Sequence, residues 1–381
     1  MDGTVFFISE LRAPDDPRAT STHIMTYAVL RGLRENGLRT VLFAICEDGQ
    51  AAERIRRSPS LADLTVTLPS RFGGIKTGDA FTRLLRMLST GLRKGFYRNI
   101  DVPRFSDPSL ILTHCPSIEG AYYGDEFHRL FPGVPYYQFW SDPIAMSGLV
   151  PEKVGLRRLP FRLAESRALG RADRIIYGTR PLCSCQKKLY PRLARKMFFS
   201  DVPCGGTDSG SGKDPTRIVY AGNYYSAFRD IRPLISAVSG SGTFTLDVFG
   251  NGDVPDPGVP NVVFHGRVSP GELDRLTEAH GISVCVLNSN CVQIPGKVFY
   301  EAGSGRKILV IKDGRNPYSD VICDYLSEYG RFSFCENDEK SISAALSSPV
   351  AERSPLPPDP ARFGEAAVAN TITDGGLSCD E

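Results

Sequence analysis

The residues best placed to do chemistry run from Gln293 through Ile294, Pro295, Gly296 and Lys297 to Glu301. Pro295 suits a first helical turn, where its missing N–H costs nothing. Gly296 lets a ligand come close to the backbone. The free N–H groups of such a turn and the positive end of its dipole attract an anion, and Lys297 adds a full charge. Glu301 falls one turn after Lys297 on the same helix face, where its carboxylate could accept hydrogen bonds from a pair of ribose hydroxyls. One turn would then hold a phosphate and a sugar. The plainer alternative is a capped helix with a surface Lys297–Glu301 pair, and this segment alone does not decide between them.

Further candidates stand at the ends of strand-like runs. Residues 217–221 end in Gly222-Asn223, with Arg229 shortly after. Residues 245–249 end in Gly250-Asn251-Gly252, and residues 262–264 end in His265-Gly266-Arg267-Val268. In the first half His23 opens a helical stretch, His114 follows the strand 110–113, and Asp142 follows the strand 135–140. In open parallel sheets ligands bind outside the carboxyl ends of strands, which is where these residues would lie. The alternatives are a turn or cap role for His114 and Asp142, a helix-surface position for His23 and a solvated position for Arg267.

The elements that must position them alternate as strand and helix. Residues 5–9 form an apolar β-branched and aromatic run. Residues 23–36 carry Ile24, Tyr27, Leu30 and Leu33 at helical spacing after Ser21 or Thr22 as cap, and residues 40–45 are a second strand. This βαβ opening predicts a parallel, doubly wound sheet. Further strands are expected at 64–68, 110–113, 135–140 and 174–177, and a helix at 157–169. The stretch 205–213 is Gly/Ser-rich and lacks apolar residues, as a linker would. A second series follows, with strands at 217–221, 245–249, 262–264, 282–287 and 308–311, and helices at 231–238, 272–279 and 298–302. The tail from 347 is Pro-rich, helical around 362–370, and expected to fray beyond. The domains are therefore drawn at 1–205 and 214–350 with a linker at 206–213. The tail, 351–381, has a helix that could return to the first domain. The fold class is α/β, with two Rossmann-like domains facing across a cleft.

From Arg217 to Lys312 the ordered glycine loops and the Lys297/Glu301 turn resemble the C-terminal half of GT-B glycosyltransferases. The likeness is greatest to the retaining family 4 and related bacterial cell-surface enzymes. The first half is similar in architecture and in a few loop positions. The resemblance implies transfer of a sugar from a nucleotide-diphosphate donor to a glycan, lipid-linked or other hydroxyl acceptor, with retention and without an essential metal. It implies that Glu301 binds the donor ribose, that Gly296 lies beside the diphosphate and that Lys297 and Arg229 meet phosphate. Gly222 and Asn223 would line the first loop, with Gly250 at the next strand end, and His265 to Val268 would bracket the base. The first acid of the family's two-glutamate motif falls at Gln293. His23, His114 and Asp142 would face the acceptor, although the glycine-rich loop often found before the first helix is absent. No cofactor is expected beyond the nucleotide sugar itself, and no Asp-x-Asp metal clamp stands near the site.

A net charge of +2 favours no nucleic-acid partner. The ten cysteines in a chain that opens directly on a strand read as reduced, buried thiols, and suggest the cytoplasm. No apolar run reaches the ~18 residues of a membrane span. Residues 83–100 interleave basic and apolar side chains without an acid, which could dock peripherally on the inner membrane face. The competing readings are a GT-B-fold sugar-nucleotide epimerase and a non-catalytic GT-B scaffold that partners an active enzyme. A nicotinamide enzyme is disfavoured, because residues 9–21 contain no G-x-G-x-x-G.

Overall fold

The computed structural model describes residues 3–16, 18–58, 62–70, 107–147, 155–204, 213–348 and 358–379. The basic segment 83–100 lies outside them, as does the expected linker except for Lys213. The chain divides into two compact units. The first comprises Met1–Pro14, Thr22–Val202 and Glu365–Glu381, and the second comprises Asp15–Ser21 and Pro203–Gly364.

The first unit contains β1 (Thr4–Glu10), α1 (Ser21–Glu35), β2 (Arg39–Cys46), α2 (Gly49–Arg57), β3 (Leu64–Pro69), β4 (Leu110–His114), α3 (Ile118–Leu130), β5 (Tyr136–Trp140), α4 (Leu159–Leu169), β6 (Arg174–Tyr177), α5 (Arg180–Leu189) and β7 (Met197–Phe199). Its seven strands are all parallel, in the order β3-β2-β1-β4-β5-β6-β7. Buried on both faces, β1, β2 and β4 are continuous apolar runs, as parallel strands under helices must be. The helices start on polar caps. Asp48, Ser117 and Thr179 side chains accept from the N–H groups of Ala51, Glu119 and Leu182.

The second unit contains β8 (Asp214–Ala221), α6 (Arg232–Ser239), β9 (Thr245–Phe249), β10 (Val262–Gly266), α7 (Pro270–Thr277), β11 (His280–Val286), α8 (Lys297–Ala302), β12 (Lys307–Lys312), α9 (Ser319–Ser327), β13 (Phe332–Glu336), α10 (Glu339–Leu346) and α11 (Pro360–Phe363). Its six parallel strands run β10-β9-β8-β11-β12-β13. Leu234 and Val238 of α6 and Ile342 of α10 pack with Ile218, Tyr220, Leu246 and Val248 in its core. In both sheets the strand order reverses beside the first strand, between β1 and β4 and between β8 and β11. A doubly wound sheet opens a crevice at that reversal.

Two expectations fail at the end of the chain. The tail does not fray after residue 370, because α12 (Glu365–Thr373) packs in the first unit. Asn36 Nδ2 donates to the Ala366 carbonyl at 2.8 Å, and Arg31 pairs with Glu365. A Cβ on Gly32 would strike the Glu365 carbonyl, so the helices touch backbone to backbone there. Beyond a turn with positive φ at Gly375 (96°) and Gly376 (85°), Leu377 pairs antiparallel with Phe199. Nor are all ten cysteines reduced. Cys183 of α5 is disulfide-bonded to Cys379 across 196 residues, and the other eight form no disulfide. That bridge overturns the expectation that every cysteine is a reduced thiol. Among the described residues no helix is long and apolar enough to cross a membrane.

Candidate functional site

In the second unit three neighbouring strands end in glycines with positive φ, namely Gly222 (150°), Gly250 (125°) and Gly266 (69°). Lateral hydrogen bonds fuse the three ends into one edge. Gly222 N donates to Phe249 O at 2.8 Å, and Gly250 N donates to Gly266 O at 2.7 Å. A Cβ on Gly250 would strike the Gly222 carbonyl, so only glycine allows this approach.

Lys297 opens α8 and reaches back to the reversal point between β8 and β11. Its ammonium lies 3.6 Å from the centroid of the Tyr220 ring on β8 and 3.5 Å from the Val284 carbonyl on β11. A Cβ on Gly222 would sit 3.3 Å from Nζ, so the missing side chain is what admits the lysine. Burial pushes the Lys297 pKa down to about 8, and the positive charge of Arg229 adds to the effect. Arg229 is itself held in place. Its Nη2 and Nε donate to Asn288 Oδ1 at 2.7 and 3.2 Å, and its Nη1 donates to the Asn223 carbonyl at 3.1 Å. Tyr220 donates its hydroxyl to the same carbonyl at 3.0 Å. The two cations therefore border one turn, Gly222–Asn223, and their hydrogen bonds all go to neutral oxygens. By contrast, Arg217, Arg232, Arg306, Arg315 and Arg362 of this unit have carboxylate partners.

Glu301 lies one turn from Lys297 and is buried, which the surface-pair alternative did not anticipate. Its Oε2 takes the guanidinium of buried Arg306 at 3.1 Å and the Ser304 hydroxyl at 3.4 Å. Arg306 is anchored in turn on the carbonyl and hydroxyl of Thr277. Among the described residues no hydrogen bond reaches Glu301 Oε1. Gly296, just before the helix, has a helical φ of −58°, so its value lies in its small size rather than in conformational freedom. Gln293 is half-buried in the preceding loop, and its carbonyl accepts from Asn288 Nδ2 at 3.0 Å.

His265 stacks on Phe249 (4.4 Å between centroids, 8° between planes) and bonds Asp247 Oδ1 at 2.6 Å. Buried His280 bonds the other oxygen at 2.7 Å. Burial opposes ionisation of Asp247, but the bonds from His280 and His265 outweigh it and hold the carboxyl well below its usual range. Val268 is half-buried and Arg267 exposed just beyond β10.

In the first unit His114 ends β4, fully buried. Its Nδ1 bonds the Thr26 hydroxyl at 2.7 Å, one helical turn after His23. Burial, with a smaller effect from the His23 charge, pushes the His114 pKa down to about 3, so the ring is neutral at ordinary pH. His23 is half-buried on the first turn of α1. Asp142 lies beyond β5 and accepts from the Ser141 hydroxyl at 3.3 Å. Its loop is fixed by Glu165 of α4, whose buried carboxylate accepts from Ile144 N (2.8 Å), Ala145 N (3.0 Å) and the Tyr190 hydroxyl (2.7 Å).

The structure brings Gly222, Asn223, Arg229 and Lys297 together, with Glu301 one turn further along α8, and sets His23 near His114. The sequence reading missed Asn288 and Glu165. Each acts by orienting something distant in sequence, Asn288 by gripping Arg229 59 residues away and Glu165 by gripping a loop 20 residues away. A buried polar residue after a strand was the available signal for Asn288. Among the described residues no group of three His, Cys, Asp or Glu side chains is placed to hold a metal ion.

No family model matches the chain, and neither does any curated protein sequence. Solved structures match it along its length. AviGT4, a glycosyltransferase involved in avilamycin A biosynthesis, aligns at TM-score 0.54 and 12% identity, covering 98% of this chain and 96% of its own. Anabaena Alr3699/HepE in complex with UDP-glucose aligns at 0.53 and 9%, covering 99% and 96%. The UDP-GlcNAc 2-epimerase of Methanocaldococcus jannaschii aligns at 0.51 and 9%, covering 97% and 98%. With two all-parallel doubly wound sheets and full-length matches to these enzymes, the chain has the GT-B fold.

Proposed function

We propose that this chain is a glycosyltransferase that takes its sugar from a nucleotide-diphosphate donor bound by the second unit. The observation that carries the reading is the pair of cations, Lys297 and Arg229, at the β8/β11 reversal, with no carboxylate in an ion pair with either among the described residues. Desolvating two like charges beside each other is costly, and a diphosphate would offset that cost. In glycosyl transfer the bond from the anomeric carbon to the diphosphate breaks, and negative charge gathers on the leaving oxygens. Fixed cations stabilise that charge most in the transition state. Glu301, with Oε2 locked by Arg306, offers Oε1 to a ribose hydroxyl, and His265 stacked on Phe249 borders the base. Asp142, on its Glu165-braced loop, and His23, beside neutral His114, are assigned to the hydroxyl acceptor. Retention, independence of metal and a role in cell-surface polysaccharide synthesis follow from the family resemblance.

Sugar-nucleotide epimerisation is the second reading, favoured by one specific observation. An epimerase is among the full-length structural matches, and it would use the same diphosphate site. Incubating the purified chain with UDP-sugars, with and without sugar or lipid-linked acceptors, separates the two. A transferase releases nucleotide and forms a new glycoside, whereas an epimerase returns an isomerised donor.

A further inference from the structure

We propose that the amino end of α4 is a docking surface for an anionic lipid bilayer. Leu159 and Leu163 stand one turn apart on this helix and are 50% and 68% exposed, the latter the most exposed large apolar side chain among the described residues. Arg167 continues the same exposed stripe. The helix has one acid, Glu165, which points inward and is consumed by the Ile144 and Ala145 N–H groups and the Tyr190 hydroxyl. Arg158 sits at the helix N-cap and adds a cation to this end. Arg162 Nη2 donates to the Leu189 carbonyl at 3.4 Å, which joins this end of α4 to the carboxyl end of α5. That end brings Lys187 and Lys188, followed by exposed Arg192 and Arg195. The acids of the adjacent α3 are already matched, Asp125 by Arg171 and Glu126 by Arg129.

Two exposed leucines beside these cations, with no unmatched acid on the same helices among the described residues, fit a surface that is apolar within and negative at its face. A second copy of the chain fits less well, because a two-fold contact would set the same cations against one another. The inference concerns a face of the first unit and does not depend on the reaction proposed above.

The test is co-sedimentation of the full chain with vesicles of phosphatidylcholine alone, or with phosphatidylglycerol as about a third of the lipid. The expected result is binding only to the anionic vesicles, weakened at least ~10-fold by the paired substitution Leu159→Ser and Leu163→Ser and reduced by Lys188→Glu with Arg192→Glu. These side chains are exposed, so unchanged near-ultraviolet dichroism and melting temperature will show that the variants fold. Failure of the wild type to bind anionic vesicles would overturn the proposal, as would a leucine variant that binds like wild type. Sedimentation velocity revealing a dimer that the same leucine substitutions dissolve would also overturn it, in favour of self-association.

Discussion

The ammonium of Lys297 rests 3.6 Å from the ring centroid of Tyr220, on the strand that ends in Gly222. The contact is a cation–π pair across the reversal point of the second sheet, and among the described residues no acid is in an ion pair with the ammonium. Because burial has pushed this lysine down to about 8, nucleotide affinity should depend on pH. Below pH 8 the ammonium is present and binding is at full strength. As pH rises through 8 the free protein loses the proton that a bound diphosphate requires, and affinity falls by up to ~10-fold per pH unit. Calorimetric titration of UDP at pH 7 and again at about pH 9.5 checks this, and Lys297→Met should remove the dependence.

Asn288 predicts a second effect. It holds Arg229 through two hydrogen bonds without itself bearing charge. Asn288→Ala should lower affinity for nucleoside diphosphates by ~10-fold or more, in line with losing hydrogen bonds to a charged group. A nucleoside without phosphate should lose less affinity than the diphosphate, because Arg229 is the phosphate contact, while the bond lost to the Gln293 carbonyl affects both ligands alike. Comparing the two ligands by calorimetry makes the measurement specific.

Glu301 should show binding and stability moving together. Replacing it with alanine strips buried Arg306 of its carboxylate, and breaking a buried pair costs ~3–5 kcal/mol. Glu301→Gln keeps the shape and one acceptor, so it should fold and still weaken donor binding by about 1.5–3 kcal/mol. Urea unfolding and UDP-sugar titration of both variants read the two effects separately.

How much of this could be read from the sequence differs by place. The parallel strands of both units were visible because burial on two faces makes them apolar runs, as in Val5–Ile8 and Ile308–Ile311. Two strands were not. Met197–Phe199 has three residues, and Phe332–Glu336 is a half-buried edge. The helices Gly49–Arg57, Ile118–Leu130 and Arg180–Leu189 were expected only as unbounded helix-like stretches, although Asp48, Ser117 and Thr179 announce them; the first buries only Ala51, Ala52 and Ile55, whereas Ile118–Leu130 buries Ile118, Tyr122, Tyr123 and Phe127. Lys297 and Glu301 were legible because one helical turn relates them. Asn288 with Arg229, Glu165 with the Asp142 loop, and Arg306 with Thr277 were not, because each is a contact that only the fold creates. The Cys183–Cys379 bridge was hidden for the same reason, its partners lying on elements whose meeting no local pattern encodes.

That bridge gives a fourth prediction. It closes 196 residues and pins the turn beyond α12 to α5, so reduction should destabilise the first unit by about 2–4 kcal/mol. Cys183→Ser should match dithiothreitol-treated wild type in a thermal melt and gain nothing further from reductant. Gly32→Ala should independently loosen α12, because its methyl group meets the Glu365 carbonyl.

Asp247 should contribute to the acid sensitivity of the second unit. With its carboxyl held below the usual range by His280 and His265, the stabilisation is complete above the ordinary aspartate pKa of about 3.9 and is lost as pH falls through the folded value. Asp247→Asn should therefore destabilise the protein at pH 6 and lessen its loss of stability between pH 4 and pH 2. Chemical unfolding at those three values checks the sign.

The claim on which the rest depends is that Lys297 and Arg229 exist to hold a diphosphate. Isothermal titration of UDP into wild type and into Lys297→Met tests it most directly. The account predicts saturable binding by wild type and a loss of about tenfold or more in the variant, whose circular dichroism should match wild type. Equal affinity in the two folded proteins would contradict it.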